Sequence, residues 1–339
     1  MTYLSITPKI LVFHPGALGD GLLSLPSLRK LRRRHPKHKM IWIGHQGVGK
    51  IFLKAGEVEE AYSFESFPVG DWLEQKLSNS QSATLSSSPL DMVVGWMKDD
   101  DGYWKTWVER LGYRRSIFRS PHDPQLLSKH MQERYWEVME TDREGLENFF
   151  IEEDFQILKG FFTKPDMPVC HTLSHSSQNR FLILLHPGGG SPRKCVSTDT
   201  LARLGKQLIE RIPGKLAIIG GPADSRYLDP LFTALADLHP LCFQQLDLST
   251  VCGLFNQVKL FLGHDSGLSH LAANCGVPSL VLFGPTDPAV WAPRGRHIRI
   301  QRNQDLNFCP HDLCQTAEQL LTEWPLVASR TLKEFPVMV

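Results

Sequence analysis

Lys9-Ile10-Leu11-Val12-Phe13-His14-Pro15-Gly16 and Phe181-Leu182-Ile183-Leu184-Leu185-His186-Pro187-Gly188 open the two halves of the chain in the same way. Each is a short apolar run of the length and composition of a buried strand, and each ends in His-Pro-Gly before a glycine-containing loop. After the first run, Leu22, Leu23, Leu25, Leu28 and Leu31 predict a helix with one buried face between Asp20 and Arg33. Met40–Ile43 supplies the next strand and Asp91–Val94 a later one. After the second run come a helix near Thr200 to Arg211 and strands at Leu216–Ile219, Lys259–Leu262 and Ser279–Phe283. Strands alternating with helices indicate a parallel sheet covered on both faces. The shared tripeptide is weak evidence by itself. Standing at the same point of the same strand-loop-helix context, it indicates two Rossmann-like domains in tandem.

The bulk numbers agree with that division. A chain of 339 residues fits two domains better than one core. The prolines and polar residues between Lys164 and Arg180 mark the junction, giving expected domains over 1–165 and 166–339. Serine-rich Ser78 to Pro89 is expected to be an exposed loop. The formal net charge of +1 excludes a polycation, so attraction to an anionic partner must come from local clusters. The N-terminus lacks a basic leader followed by a long apolar run, and no stretch is apolar enough to span a bilayer. Seven scattered cysteines suit reduced thiols. A cytoplasmic protein is expected.

Three loops at predicted strand ends in the second half suit a nucleotide. Gly188-Gly189-Gly190-Ser191-Pro192-Arg193-Lys194 can bring backbone N–H groups and a cation to an anion, or can be a plain turn beside a solvated lysine. Its spacing is not that of a P-loop. In Gly263-His264-Asp265-Ser266-Gly267-Leu268-Ser269-His270, Asp265 or Ser266 can cap a helix whose free amides favour phosphate. The plain alternative is a well-capped helix carrying a surface histidine. Gly284–Pro288 forms the third loop. In the first half, Asp20 follows a tight loop and reads as the N-cap of the following helix, the commoner role for such a residue, or as a base.

The stretch Asp265 to Pro288, D-S-G-L-S-H-L-A-A-N-C-G-V-P-S-L-V-L-F-G-P-T-D-P, resembles the C-terminal signature of the ADP-heptose:lipopolysaccharide heptosyltransferases, glycosyltransferase family nine. Ile10 to Pro26 resembles that family's N-terminal signature, and Cys309-Pro310 with Cys314 its C-terminal cysteine segment. The resemblance implies an α/β protein of GT-B fold, with two Rossmann-like domains facing across a cleft, acceptor in the first and nucleotide-sugar donor in the second. It implies an inverting transfer that needs neither metal nor cofactor. Carried over by position, Asp20 matches the catalytic aspartate and Lys194 the lysine that neutralises the donor diphosphate. Gly189, Gly190, Ser191, Asp265, Ser266, Gly267 and His270 match the surrounding donor loops. Asp224 falls where an acidic residue, usually glutamate, holds the ribose, and Leu246 where an apolar side chain packs on the base. His14 stands where the family commonly has arginine, Cys-Val-Ser follows Lys194 in place of a basic-Trp-Pro run, and His264 is unusual.

The implied partners are ADP-heptose and a lipopolysaccharide-core or related glycan acceptor. Two alternatives stand beside transfer: a sugar-nucleotide epimerase or hydrolase on the same fold, and a degenerate protein that only binds nucleotide-sugar. The basic stretch Arg29 to Lys39 reads as a solvated helix end, with attraction to anionic lipid at the inner membrane as its functional alternative. No nucleic-acid module accompanies it. Lys98, Lys105, Arg110, Arg114, Arg115 and Arg119 are candidates for acceptor phosphates. Asp99-Asp100-Asp101 is a solvated turn or, in a rival mechanism, a cation site. Cys309, His311 and Cys314 are too few for a zinc site.

Overall fold

The computed structural model describes residues 7–67, 90–110, 113, 115–139 and 181–323. The chain forms two compact units, Met1–Phe155 and Gln156–Val339. The expected junction and the serine-rich segment lie outside the described residues, as does Arg114.

The first unit carries strands β1 (Lys9–His14), β2 (Lys39–Gly44), β3 (Glu60–Ser63), β4 (Leu90–Gly95) and β5 (Arg115–Phe118). They pair in parallel in the order β3-β2-β1-β4-β5. The second unit carries β6 (Leu182–Leu185), β7 (Lys215–Gly220), β8 (Leu241–Gln244), β9 (Val258–His264), β10 (Ser279–Phe283) and β11 (Ile298–Arg302). Their parallel order is β11-β10-β9-β6-β7-β8. In each sheet the first strand lies centrally and the chain later crosses to its other side. That is the doubly wound Rossmann arrangement, and its ligand position lies beyond the carboxyl ends of the strands where the winding reverses. Here those positions are the loops after β1 and β4, and after β6 and β9.

Central strands are buried on both faces, so Ile10–Phe13 and Leu182–Leu185 are wholly buried, as the unbroken apolar runs predict. Helices α1 (Leu18–Leu23) and α2 (Leu25–Arg34) replace the single helix expected from the periodicity. The break has a local cause. Pro26 has no N–H to give Leu22, and the Ser24 hydroxyl donates instead to Gly21 O at 2.8 Å. Among the described residues of the first unit the remaining α-helices are α3 (Gln46–Lys54), α4 (Tyr103–Arg110) and α5 (Met131–Glu137). The second unit carries α6 (Thr198–Arg211), α7 (Ser225–Ala234), α8 (Leu248–Phe255), α9 (Gly267–Asn274), α10 (Pro288–Trp291) and α11 (Pro310–Thr322).

The basic stretch 29–39 is not simply a solvated helix end. The Arg29 guanidinium pairs with Glu57, and both residues are buried. Arg32 donates to Glu57 O at 2.8 Å and to the Glu59 carboxylate at 3.0 Å. Lys30 and Arg34 both lie over the Trp136 ring, which ties α2 to α5. His38 reaches Asp91 at 2.9 Å. Much of the cluster's charge is therefore spent on internal contacts, with Arg33, Lys37 and Lys39 exposed. The triple aspartate also has a structural role: Asp99 accepts the Trp104 and Lys105 N–H groups at 2.8 and 3.0 Å, capping the start of α4.

Removing one member of a buried ion pair strands the other charge. Glu57→Ala is expected to lower unfolding free energy by about 3 kcal/mol, and Lys37→Ala to change it by under about 0.5 kcal/mol. Urea denaturation of both variants measures the contrast. Equal small effects would mean that Arg29 finds water or another partner.

Candidate active site

In the second unit the site is built on the ends of β6 and β9. His264, at the last position of β9, is fully buried. Its Nε2 accepts the Val196 N–H at 3.0 Å, so Nδ1 carries the proton and donates to Gly188 O at 3.3 Å. One imidazole thus joins the glycine loop after β6 to the segment just beyond Lys194. Burial is the main cause that lowers its pKa from 6.5 to about 4, with His186 adding to it, so the ring is neutral near pH 7. Ser269 donates its hydroxyl to His264 O, closing the next turn onto the same residue.

The neighbouring Asp265 is 6% exposed and accepts from Lys194 Nζ at 2.7 Å. The Lys194 side chain keeps 30% of its surface and so remains open to a second anion. The glycine loop turns at Gly190, whose φ of +68° lies in the left-handed region. Pro192–Lys194 then forms a 3₁₀ turn that delivers the lysine. Gly189 packs against the Cβ atoms of Lys194 and His264 and the Cys195 sulfur. Cys195 donates its thiol to Ser191 O at 3.3 Å, and burial raises its pKa.

Of the two capping candidates, Ser266 is the N-cap of α9, its Oγ accepting the Ser269 N–H at 3.4 Å. The same Oγ lies 3.3 Å from His186 Nδ1, while His186 Nε2 lies 3.2 Å from Asp224 Oδ2. That Asp224 oxygen also accepts the Gly221 N–H at 2.8 Å. Burial opposes the ionised form of Asp224, but His186 and the Gly221 amide outweigh it and hold the carboxyl below its usual range. An ionised Asp224 accepts, so His186 Nε2 carries a proton toward it. A Cβ on Gly188 would collide with the Asp224 carboxylate, which explains the glycine there. Asp224 is 9% exposed and committed to these inner partners.

Leu246 is half-exposed in the loop between β8 and α8, next to Gln245 at φ +54°. His270 is 5% exposed, so the surface histidine of the plain reading is a buried one. Gly267 opens α9. The second unit's structure therefore brings Gly189, Lys194, Asp265 and Ser266 together around His264 and His186, with Gly190 and Ser191 shaping the same loop. In the third loop, Asp287 caps α10 by accepting the Ala289 N–H at 3.1 Å.

In the first unit Asp20 is the third residue of α1, not its N-cap. Its Oδ2 accepts the N–H of Ala17, the capping position, at 3.2 Å. The residue is half-buried. His14 ends β1 with 1% exposure, accepting the Gly16 N–H on Nδ1 at 3.2 Å and facing the Tyr135 hydroxyl with Nε2 at 3.0 Å. Burial is the largest cause that lowers its pKa to about 4. Arg119 is 2.8 Å from Asp123, while Lys105, Arg110 and Arg115 are exposed. Among the described residues no group of three or more His, Cys, Asp or Glu could hold a metal ion, Asp99–Asp101 and Cys309–Cys314 included.

Two parallel Rossmann-like sheets, the second carrying a lysine and glycine loop at its reversal point, make the GT-B fold. The chain belongs to glycosyltransferase family 9 (heptosyltransferase), whose description matches residues 105–320. It is 25% identical over 336 residues to lipopolysaccharide heptosyltransferase 2 of Escherichia coli strain K12, covering 87% of this chain and 88% of that protein. The solved E. coli ADP-heptose LPS heptosyltransferase II superposes with a TM-score of 0.68 at 21% identity, covering 93% of this chain and 99% of that one. An E. coli heptosyltransferase solved with ADP gives 0.63 at 18% identity, covering 92% and 99%.

His264 and His14 are buried neutral and regain their usual basicity on unfolding. The unfolded chain therefore binds more protons between pH 6.5 and about 4. The stability this supplies is present above pH 6.5 and is lost as pH falls through that window. Urea midpoints recorded from pH 7 to 4.5 are expected to fall steeply for the wild type and less steeply for His264→Gln. Parallel slopes would show that His264 is not protonated on unfolding.

Proposed function

We propose that the protein transfers heptose from ADP-heptose to a lipopolysaccharide-core or related glycan acceptor, with inversion and without a metal. The observation that carries this reading is the Lys194–Asp265 pair beside a glycine loop at the end of the central strands of a Rossmann sheet. An ADP-bearing relative with the same fold supports the choice of nucleotide. The lipopolysaccharide heptosyltransferases among the relatives support the choice of acceptor.

In this mechanism the acceptor hydroxyl meets Asp20, whose carboxylate removes its proton as the new glycosidic bond forms. The bond from the anomeric carbon to the diphosphate breaks, and charge gathers on the leaving oxygen. Lys194 opposes that charge, assisted by the Ser266 hydroxyl and the first amides of α9. Gly189, Gly190 and Ser191 line the phosphate side, Gly267 lets α9 begin close to it, and His270 stands one turn further on. Leu246 offers an apolar surface to the base. Asp224 acts on the ribose through the loop it orders, since its Oδ2 is engaged by Gly221 and His186. On this reading the enzyme acts in the cytoplasm and meets the inner membrane, if at all, through its acceptor. No described helix is long and apolar enough to cross a membrane.

Asp20→Asn is expected to lower acceptor-dependent ADP release by at least roughly 100-fold while leaving ADP affinity intact. Lys194→Ala should lower kcat/KM for ADP-heptose by roughly 100-fold. Turnover should persist in EDTA. Full activity of Asp20→Asn would remove the base assignment, and ADP release without any acceptor would indicate hydrolysis instead of transfer.

A further inference from the structure

We infer that His14 and Tyr135 are positioning residues that hold the Asp20 carboxylate for proton removal, an inference that rests on the role proposed for Asp20. The His14 ring and Asp20 both crowd the side-chain face of Gly16: a Cβ at Gly16 would come within 2.6 Å of His14 Cε1 and 2.7 Å of Asp20 Cβ. The two amides of the loop are each taken by a side chain from one end of it. The Gly16 N–H goes to His14 Nδ1 and the Ala17 N–H to Asp20 Oδ2. The imidazole thus grips the Gly16 amide and packs, beside the Asp20 Cβ, against the side-chain face of Gly16.

The imidazole is itself fixed. Because Nδ1 accepts from Gly16, Nε2 holds the ring proton and donates to the Tyr135 hydroxyl. The ring stacks on Trp42 at 5.2 Å between centroids and meets Trp96 edge-on at 5.8 Å. Trp96 in turn donates its indole N–H to Tyr135 O at 2.9 Å and its backbone N–H to Phe13 O. Tyr135 sits on α5, which is clamped to α2 through Trp136 and through Ser27 to Gln132 O. A residue 121 positions away therefore sets the orientation of the ring beneath the proposed base. Burial and the nearby Asp20 charge keep the Tyr135 hydroxyl protonated, so the contact is a neutral hydrogen bond.

Tyr135→Phe keeps the ring and removes only the hydroxyl that anchors His14. With ADP-heptose and truncated lipopolysaccharide, kcat is expected to fall by roughly 10- to 100-fold, with the KM for ADP-heptose unchanged. In an Asp20→Asn background the same substitution should have no further effect. Amide exchange at Gly16 and Ala17, followed by NMR, should quicken by roughly tenfold at an unchanged melting temperature, whatever acceptor the enzyme uses. An unchanged kcat, or unaltered exchange at those amides, overturns the inference while leaving Asp20 as the base. An equal loss of rate in the Asp20→Asn background also overturns it. Full activity of Asp20→Asn itself would remove the role of Asp20 and the positioning inference together.

Discussion

Asp265 is a carboxylate almost withdrawn from water at the end of a central strand, and a charge in that position demands a cation. Lys194 answers it from the far end of a loop that begins on the neighbouring strand. To deliver the lysine, the chain leaves β6, turns at Gly190, passes Lys194 and goes on through Val196, and both ends of this stretch are held. His264 takes the Gly188 carbonyl on one side and the Val196 amide on the other. His186 joins the loop after β7 to the cap of α9 through Asp224 and Ser266. A phosphate at the proposed donor site would thus meet a lysine already oriented, which keeps the entropic cost of binding small.

The two units use one sequence device for different ends. Both place a buried histidine at the end of the first strand, His14 as the last residue of β1 and His186 just beyond β6, where its two ring nitrogens can reach different partners. His14 grips an amide of its own loop and a tyrosine from a distant helix. His186 instead reaches a carboxylate and a serine hydroxyl, and so joins two loops of the second unit. The shared His-Pro-Gly string marks the position; the chemistry depends on what the rest of each unit brings to it.

That distinction separates what could be read along the chain from what could not. Central strands announce themselves, because burial on both faces requires unbroken apolar runs such as Leu182–Leu185 or Ser279–Phe283. The edge strands Glu60–Ser63, Arg115–Phe118 and Leu241–Gln244 do not, since one side faces polar surroundings and their residues match a loop equally well. Pro26 carried the signal for the break after α1, masked by a leucine pattern that continues through it. Lys194 and Asp265 were legible as a motif, yet their contact spans 71 residues. His264 stood out only as unusual. Its role as a strut depends on two backbone groups that no residue pattern advertises, and the burial of His14 under Tyr135 likewise needs the folded unit. The charge run at 29–39 misled for a related reason: composition shows the cations, whereas Glu57, Glu59 and the Trp136 ring that engage them lie elsewhere in the chain.

A trans peptide is planar, with its carbonyl and its amide directed to opposite sides. His264 has no exposed surface, but it claims the Gly188 carbonyl. In doing so it turns the Gly189 N–H, the other half of the same rigid plane, away from itself. A wholly interior side chain thereby chooses the compass bearing of a backbone donor in the glycine loop, one covalent plane removed from anything it touches.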